Sequence, residues 1–219
     1  MLAWVAAAAS RCRRVDAVYV ATGDPDIEAA CAQCGIAVIE TPSVLPSGTD
    51  RVAVAAQHVA ADVVINLQAD EPTLDAGTLD ALVEAFQSSS VDFASLMGPL
   101  EPDELDDPNR VKVWCNAMGD AIAFSRTHDG RAGARLHVGV YAFRPARLRA
   151  FAALPPSRSE QVHRLEQLRA LDQGWPIRMV ETAWRGLAVD TPEDLARARA
   201  ILSGPPGSMT SSAVTGGRA

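Results

Sequence analysis

Ala17-Val-Tyr-Val-Ala-Thr22-Gly23-Asp24-Pro25 is the stretch on which the fold turns. A short apolar, β-prone run ends at a glycine, and an Asp-Pro pair follows that suits a helix start. The aspartate can accept from the first free N–H groups, and proline brings its preset φ to the first turn. The pattern then repeats. The helix that starts at Pro25 ends at Gly35, and Ile36-Ala-Val-Ile39 is the next strand. A loop containing Ser47-Gly-Thr-Asp50-Arg51 leads into a helix through about Ala60. Val63-Val-Ile-Asn-Leu67 is mostly apolar and is predicted to be a strand buried on both faces. A helix over Asp75–Gln87 follows. Strands alternating with helices predict an α/β fold with a mostly parallel sheet and helices on both faces.

Outward from this core the chain is less regular. Leu2–Arg13 is predicted to be a helix. Beyond residue 90, strand candidates at Phe93–Met97, Val111–Trp114, Ala121–Ser125 and His137–Phe143 follow one another mostly without helices, so part of the sheet is antiparallel and the sheet as a whole is mixed. Helices return at Ser159–Gln173 and Pro192–Leu202, with strand Ile177–Thr182 between them. Residues 1–202 read as one domain. Residues 203–219, rich in Gly, Ser, Pro and Thr, read as a disordered tail.

The balance of 20 Lys plus Arg against 27 Asp plus Glu gives a formal charge of −7, opposite in sign to what a nucleic acid or an anionic membrane attracts. No apolar run reaches the roughly 20 residues of a membrane span, and the apolar start is followed at once by Arg11, Arg13 and Arg14, unlike a signal peptide. The expected compartment is the cytoplasm. Four cysteines are too few for a disulfide scaffold at 219 residues. Cys31-Ala-Gln-Cys34 precedes Gly35, a helix-ending glycine, and reads as two small apolar residues rather than a redox or zinc motif.

The sharpest chemical signal is Leu67-Gln-Ala-Asp70-Glu71-Pro72, at the carboxyl end of a predicted strand, where open α/β sheets bind ligands. An acid there either holds Mg²⁺ beside substrate phosphates or belongs to a capped loop, and the residues alone leave both readings standing. Asp190, in Val189-Asp-Thr-Pro-Glu-Asp-Leu195, is a second acid ahead of a helix start, and taken alone it reads as a cap. Along Ser159–Gln173, Val162, Leu165, Leu168 and Leu171 make an apolar face that includes Arg169. A buried arginine needs an acidic partner or an anionic ligand, and a structural ion pair is the favoured reading. His137 and Tyr141 are four apart on a strand and share a face, either as core or as ligand contacts. His58, His128 and His163 show no spacing that suggests metal binding or acid–base work.

Seven segments in one order then carry a resemblance: Ser47-Gly-Thr-Asp-Arg51, Gln68-Ala-Asp-Glu-Pro72, Pro108-Asn-Arg-Val-Lys-Val113, Phe124-Ser-Arg126, His137-Val-Gly-Val-Tyr141, Leu165-Glu-Gln-Leu-Arg169 and Val189–Leu195. Together they resemble the 3-deoxy-manno-octulosonate cytidylyltransferase (CMP-Kdo synthetase) family. The resemblance implies a Rossmann-like nucleotidyltransferase fold. It also implies transfer of CMP from CTP to the anomeric hydroxyl of 3-deoxy-manno-octulosonate (Kdo) with release of pyrophosphate, for lipopolysaccharide biosynthesis, and Mg²⁺ as cofactor. Asp70 and Asp190 are implied to be the metal-holding catalytic carboxylates. Ser47, Gly48, Thr49, Arg51 and Gln68 are implied to contact the nucleotide side. His137, Tyr141, Glu166 and Gln167 are implied to contact Kdo. A cation at a helix start is unfavourable for the dipole, which favours a ligand-contacting Arg51. CTP and Kdo are the expected partners, with a homodimer possible and no nucleic-acid or membrane partner.

The resemblance also carries departures. The family's first strand and its phosphate loop, Pro-Ala-Arg followed by Arg and Gly-Lys, are expected ahead of Met1, so this chain is expected to lack the first strand of the sheet. Ala69 stands where the family has Gly. Arg126–His137 is short and lacks a Pro-Trp-Asp segment. Two alternatives therefore accompany the enzyme reading: transfer to another acidic sugar, or a truncated, non-catalytic member that acts in subunit pairing. A Rossmann dehydrogenase is remote, because no G-x-G-x-x-G follows a predicted strand.

Overall fold

The helix starts and stops form much as their sequences dictate. The computed structural model describes residues 1–184, 187–189 and 191–202. Asp24 caps α2 (Pro25–Cys34) by accepting from the N–H groups of Asp26 and Ile27, and Gly35 ends it in the left-handed conformation with φ +66°. Cys31 is buried and Cys34 exposed at that helix end. Ser47 caps α3 (Gly48–Ala55) by accepting from the Asp50 N–H at 3.1 Å. The remaining helices are α1 (Leu2–Ser10), α4 (Ala76–Glu84), α5 (Pro145–Ala153), α6 (Arg158–His163), α7 (Leu168–Asp172) and α8 (Pro192–Ile201).

The strands are β1 (Val20–Thr22), β2 (Val38–Glu40), β3 (Val64–Asn66), β4 (Phe93–Gly98), β5 (Lys112–Cys115), β6 (Ala121–Ser125), β7 (Arg135–Phe143) and β8 (Arg178–Glu181). β1 and β2 form a parallel pair of their own. The other strands form a six-stranded sheet in the order β6-β5-β7-β4-β8, with β3 joined to β7. β3, β4 and β8 share one direction, while β7 runs against β3 and β4, and β5–β6 is an antiparallel hairpin. The sheet is mixed, as the helix-poor middle of the sequence predicts.

Period-2 alternation along β7 sends its side chains into two cores. Val138, Val140 and Ala142 meet Leu79, Leu82 and Phe86 of the α4 side. Tyr141 and Phe143 meet Phe93, Leu148, Phe151 and Leu168 on the face that α3, α5 and α7 cover. Helices thus lie on both faces of the sheet.

Three expectations need correction. Ser159–Gln173 is not one helix. Arg164 adopts φ +53°, the one positive φ outside glycine among the described residues, and separates α6 from α7. The break turns Leu165, Gln167, Leu168 and Arg169 inward together and leaves Val162 67% exposed rather than on the apolar face. β3 is half-buried rather than covered on both faces, because among the described residues it has a partner on one edge only. β1 begins at Val20 and β2 ends at Glu40, so their register, Val20 opposite Val38, lies downstream of the expected strand starts. The expected tail at 203–219 lies outside the described residues.

Candidate functional site

At the carboxyl end of β3, Gln68, Asp70 and Glu71 lie beside Ser47-Gly48 on one side of a cavity of about 790 Å³. The opposite wall comes from β7, which supplies His137 and Tyr141, and from the α6–α7 junction, which supplies Glu166 and Gln167. The structure thus brings eight of the expected residues, Ser47, Gly48, Gln68, Asp70, His137, Tyr141, Glu166 and Gln167, around one cavity from four distant stretches of chain.

Each part of that lining has a local cause. Gly48 is the first residue of α3, and a Cβ there would stand 3.1 Å from the Gln68 amide nitrogen, so glycine lets Gln68 lie across the helix start. Thr49 lies just behind the wall: its N–H donates to Glu166 at 3.4 Å and its hydroxyl accepts from the buried Asn66 amide at 2.9 Å. Burial pushes the Glu166 carboxyl above its ordinary range, against the opposing hydrogen bonds from Ser47 and Thr49. The Val189 N–H donates to the Asp70 carbonyl at 2.9 Å, tying the 187–189 segment to the turn that carries Asp70. Asp190 itself lies outside the described residues.

The wall built from β7 and the α6–α7 junction is a buried polar network. Arg169, 1% exposed, bonds both Asp50, at 3.0 and 3.2 Å, and Glu160, at 2.6 and 2.8 Å. This is the ion pair its position on an apolar face calls for, since a lone buried guanidinium is costly. Asp50 also accepts from the Ser47 hydroxyl at 2.7 Å, so Arg169 reaches the start of α3 through one carboxylate. Desolvation lowers the His137 pKa to about 3 and raises that of Tyr141, so the imidazole is neutral and the phenol protonated near neutral pH.

Arg51 sits elsewhere. Its guanidinium donates to the Thr41 hydroxyl at 2.6 Å and to the Pro42 and Ser43 carbonyls at 2.9 and 3.1 Å, and it does not line the cavity. These bonds brace the loop after β2. Gly23 belongs to the same brace, because a Cβ there would meet the Thr41 carbonyl at 2.2 Å. Lys112, the single lysine of the chain, is fully buried and donates to the Asp107 and Arg126 carbonyls at 2.7 and 3.2 Å.

Three participants are missing from the sequence-based set. Arg126 lines the cavity and donates to the carbonyls of Pro108, His163 and Arg164 at 3.0, 3.0 and 3.1 Å, holding the break between α6 and α7. Asn66 had a signal, being the polar member of an apolar strand. Ser95, behind His137, had none. Among the described residues, no three His, Cys, Asp or Glu side chains gather to hold a metal, and no helix is long and apolar enough to cross a membrane.

Comparison with known proteins covers nearly the whole chain. The cytidylyltransferase family model matches residues 1–181. A 3-deoxy-manno-octulosonate cytidylyltransferase of Anaeromyxobacter sp. (strain Fw109-5) is 49% identical over 215 residues, covering 94% of this chain and 87% of that protein. The enzyme of the same name from Acidobacterium capsulatum is 42% identical, covering 92% and 85%. Among solved structures, CMP:2-keto-3-deoxy-manno-octonic acid synthetase complexed with CTP superposes with a TM-score of 0.87 at 35% identity, covering 92% of this chain and 87% of that one. A cytidylyltransferase from Leptospira borgpetersenii, at 14% identity and a TM-score of 0.60, shares the fold. On this evidence the chain belongs to the cytidylyltransferase family, among the 3-deoxy-manno-octulosonate cytidylyltransferases.

Proposed function

We infer that the cavity transfers CMP from CTP to the anomeric hydroxyl of Kdo and releases pyrophosphate. The observation that carries this reading is the convergence around one cavity of Ser47-Gly48, Gln68 and Asp70, His137 and Tyr141, and Glu166-Gln167, segments up to 120 residues apart in sequence. The nucleotide meets the start of α3, where Ser47, Gly48 and Thr49 present a capped helix start, and Gln68 lies beside them. The sugar meets the other wall. A hydroxyl-rich acid needs many directional partners, and the neutral His137, the protonated Tyr141, Gln167 and the half-buried Glu166 supply donors and acceptors whose positions the network holds.

A divalent cation fits the donor set. Asp70 lines the cavity with hard oxygen ligands, and Mg²⁺ binds through only one or two carboxylates when phosphates and water complete its shell. Asp70, with Asp190 next in chain to the tethered Val189, would hold it. Bound there, Mg²⁺ would neutralise charge on the α-phosphate. The chain's own part is to place the anomeric hydroxyl in line with that phosphate and to exclude competing water.

The net negative charge supports a cytoplasmic enzyme acting on small molecules, with pairing of two copies as a further part of the reading. The test is direct. Purified protein given CTP, Kdo and Mg²⁺ should release pyrophosphate and form CMP-Kdo. Preference for a sialic-type or amino sugar acid would move the substrate, and no product from any of them would remove the reading.

A further inference from the structure

The polar chain behind His137 has a direction, and that direction decides what the site can recognise. Ser95 is fully buried on β4, and its Oγ lies 2.9 Å from His137 Nε2, 2.9 Å from the Val140 carbonyl and 3.3 Å from the Val138 carbonyl. The cause is an irregularity in the sheet. The β4–β7 register slips between Ser95 and Leu96, pairing them with Tyr141 and Val138, so Gly139 and Val140 have no opposite residue in β4. The Ser95 hydroxyl fills the place of the missing ladder partner.

A hydroxyl has one proton. Two carbonyls face Ser95 Oγ, and carbonyls only accept, so the proton goes to them. If it pointed at the imidazole instead, two carbonyl oxygens would face a bare oxygen at a fully buried position, a costly arrangement. Ser95 therefore accepts from His137, which must carry its proton on Nε2. Its bare Nδ1 then accepts from the Gln167 amide nitrogen, at 3.4 Å. Gln167 Oε1, turned the other way, accepts from the Tyr141 hydroxyl at 3.0 Å. Burial keeps the imidazole neutral, which the chain requires, because a doubly protonated ring has no acceptor for Gln167.

We propose that Ser95 is a positioning residue which, through His137 and Gln167, turns the Tyr141 proton inward and leaves the phenolic oxygen as a hydrogen-bond acceptor toward the cavity. The group of the substrate that meets Tyr141 is then a donor, a sugar hydroxyl, and a carboxylate or ether oxygen is rejected at that point. This rests on the reading that Tyr141 meets the sugar. The opposite relay, with Nδ1 protonated and Gln167 flipped, would make Tyr141 a donor and invert the preference.

The first experiment needs no substrate. ¹⁵N NMR of the ligand-free protein, with His137 assigned through His137→Gln, should show a protonated Nε2 and a bare Nδ1 near neutral pH. A protonated Nδ1 overturns the proposal whatever the protein transfers. The second uses turnover. Ser95→Ala should raise the KM for Kdo roughly tenfold, the loss expected for one misdirected hydrogen bond, while the KM for CTP holds and Ser95→Thr restores the wild-type value. A folded Ser95→Ala with an unchanged Kdo KM overturns it. Among Kdo analogues with single hydroxyls replaced by fluorine, which accepts but does not donate, one should lose binding as fully as its deoxy counterpart. Full binding by every fluoro analogue overturns it. Failure of CMP transfer to Kdo removes the functional reading alone, because the NMR result stands apart from it.

Discussion

The two walls of the cavity are built on opposite plans. On the β7 and α6–α7 side, Arg169, Glu160, Gln167, His137 and Tyr141 are all buried, and each has hydrogen-bonding partners. Asp50, from α3, is drawn into this network. On the β1–β3 side the strands are three residues each, only part-buried, and split between two sheets. A saturated network in a low-dielectric interior is rigid, and breaking one member leaves others uncompensated. A short strand with one partner has little to hold it. The difference separates two demands. On the proposed function, reading a sugar needs fixed donors and acceptors, whereas the β3 end would carry the charged chemistry and needs carboxylates within reach of phosphates.

This contrast can be broken most severely at Asp70. Asp70→Asn should lower CMP transfer on the order of 10²-fold or more while leaving unfolding unchanged, as for loss of a charge that acts in the transition state. Turnover near the wild-type rate at ordinary Mg²⁺ would take Asp70 out of the chemistry. Arg169→Met is the mirror image. It leaves Asp50 and Glu160 buried without their cation, and denaturant unfolding should show a loss of about 3–5 kcal/mol. A loss under about 1 kcal/mol would mean that the saturated wall is not what holds this side together.

The most gradual effect is in the pH dependence of stability. His137 has a folded pKa of about 3 against 6.5 in the open chain, so between those values the unfolded state holds a proton that the folded state lacks. Its contribution is complete above about 6.5 and is lost as the pH falls toward 3, at no more than about 1.4 kcal/mol per pH unit. Glu166 acts with opposite sign: its raised pKa favours the folded state at the acid end of its range and is lost as the pH rises through it. His137→Gln should flatten the acid limb in urea-unfolding series at several pH values. An unchanged slope would mean that the buried imidazole does not control that limb.

Much of the fold was legible because its signals are local. Asp24-Pro25, Gly35 and Ser47 act on backbone groups within four residues of themselves, so a few residues of sequence are enough to place them. The acid at a strand end and the need of Arg169 for an acidic partner follow from chemistry that any fold must satisfy. The break at Arg164 was not legible. The run around it has helical periodicity, and only Arg126, reaching back from β6 to the carbonyls of 163 and 164, favours the turn. The partners of Arg51 were not legible either: its helix-start position signals an unusual role, and only the fold brings the loop after β2 to it.

The sequence by itself determined the alternation of strands and helices, the caps, the position of Asp70 beyond a strand and the presence of a buried arginine. Only the tertiary structure decided which acids meet that arginine, Asp50 from 119 residues away and Glu160 from nine, and that Ser95 stands behind His137. The physical reason lies in the range of the forces involved. Caps and periodicity are answered by neighbours along the chain, whereas the partner of a buried polar group is set by sheet register, and here a slip between Ser95 and Leu96 places a hydroxyl where a backbone partner is missing.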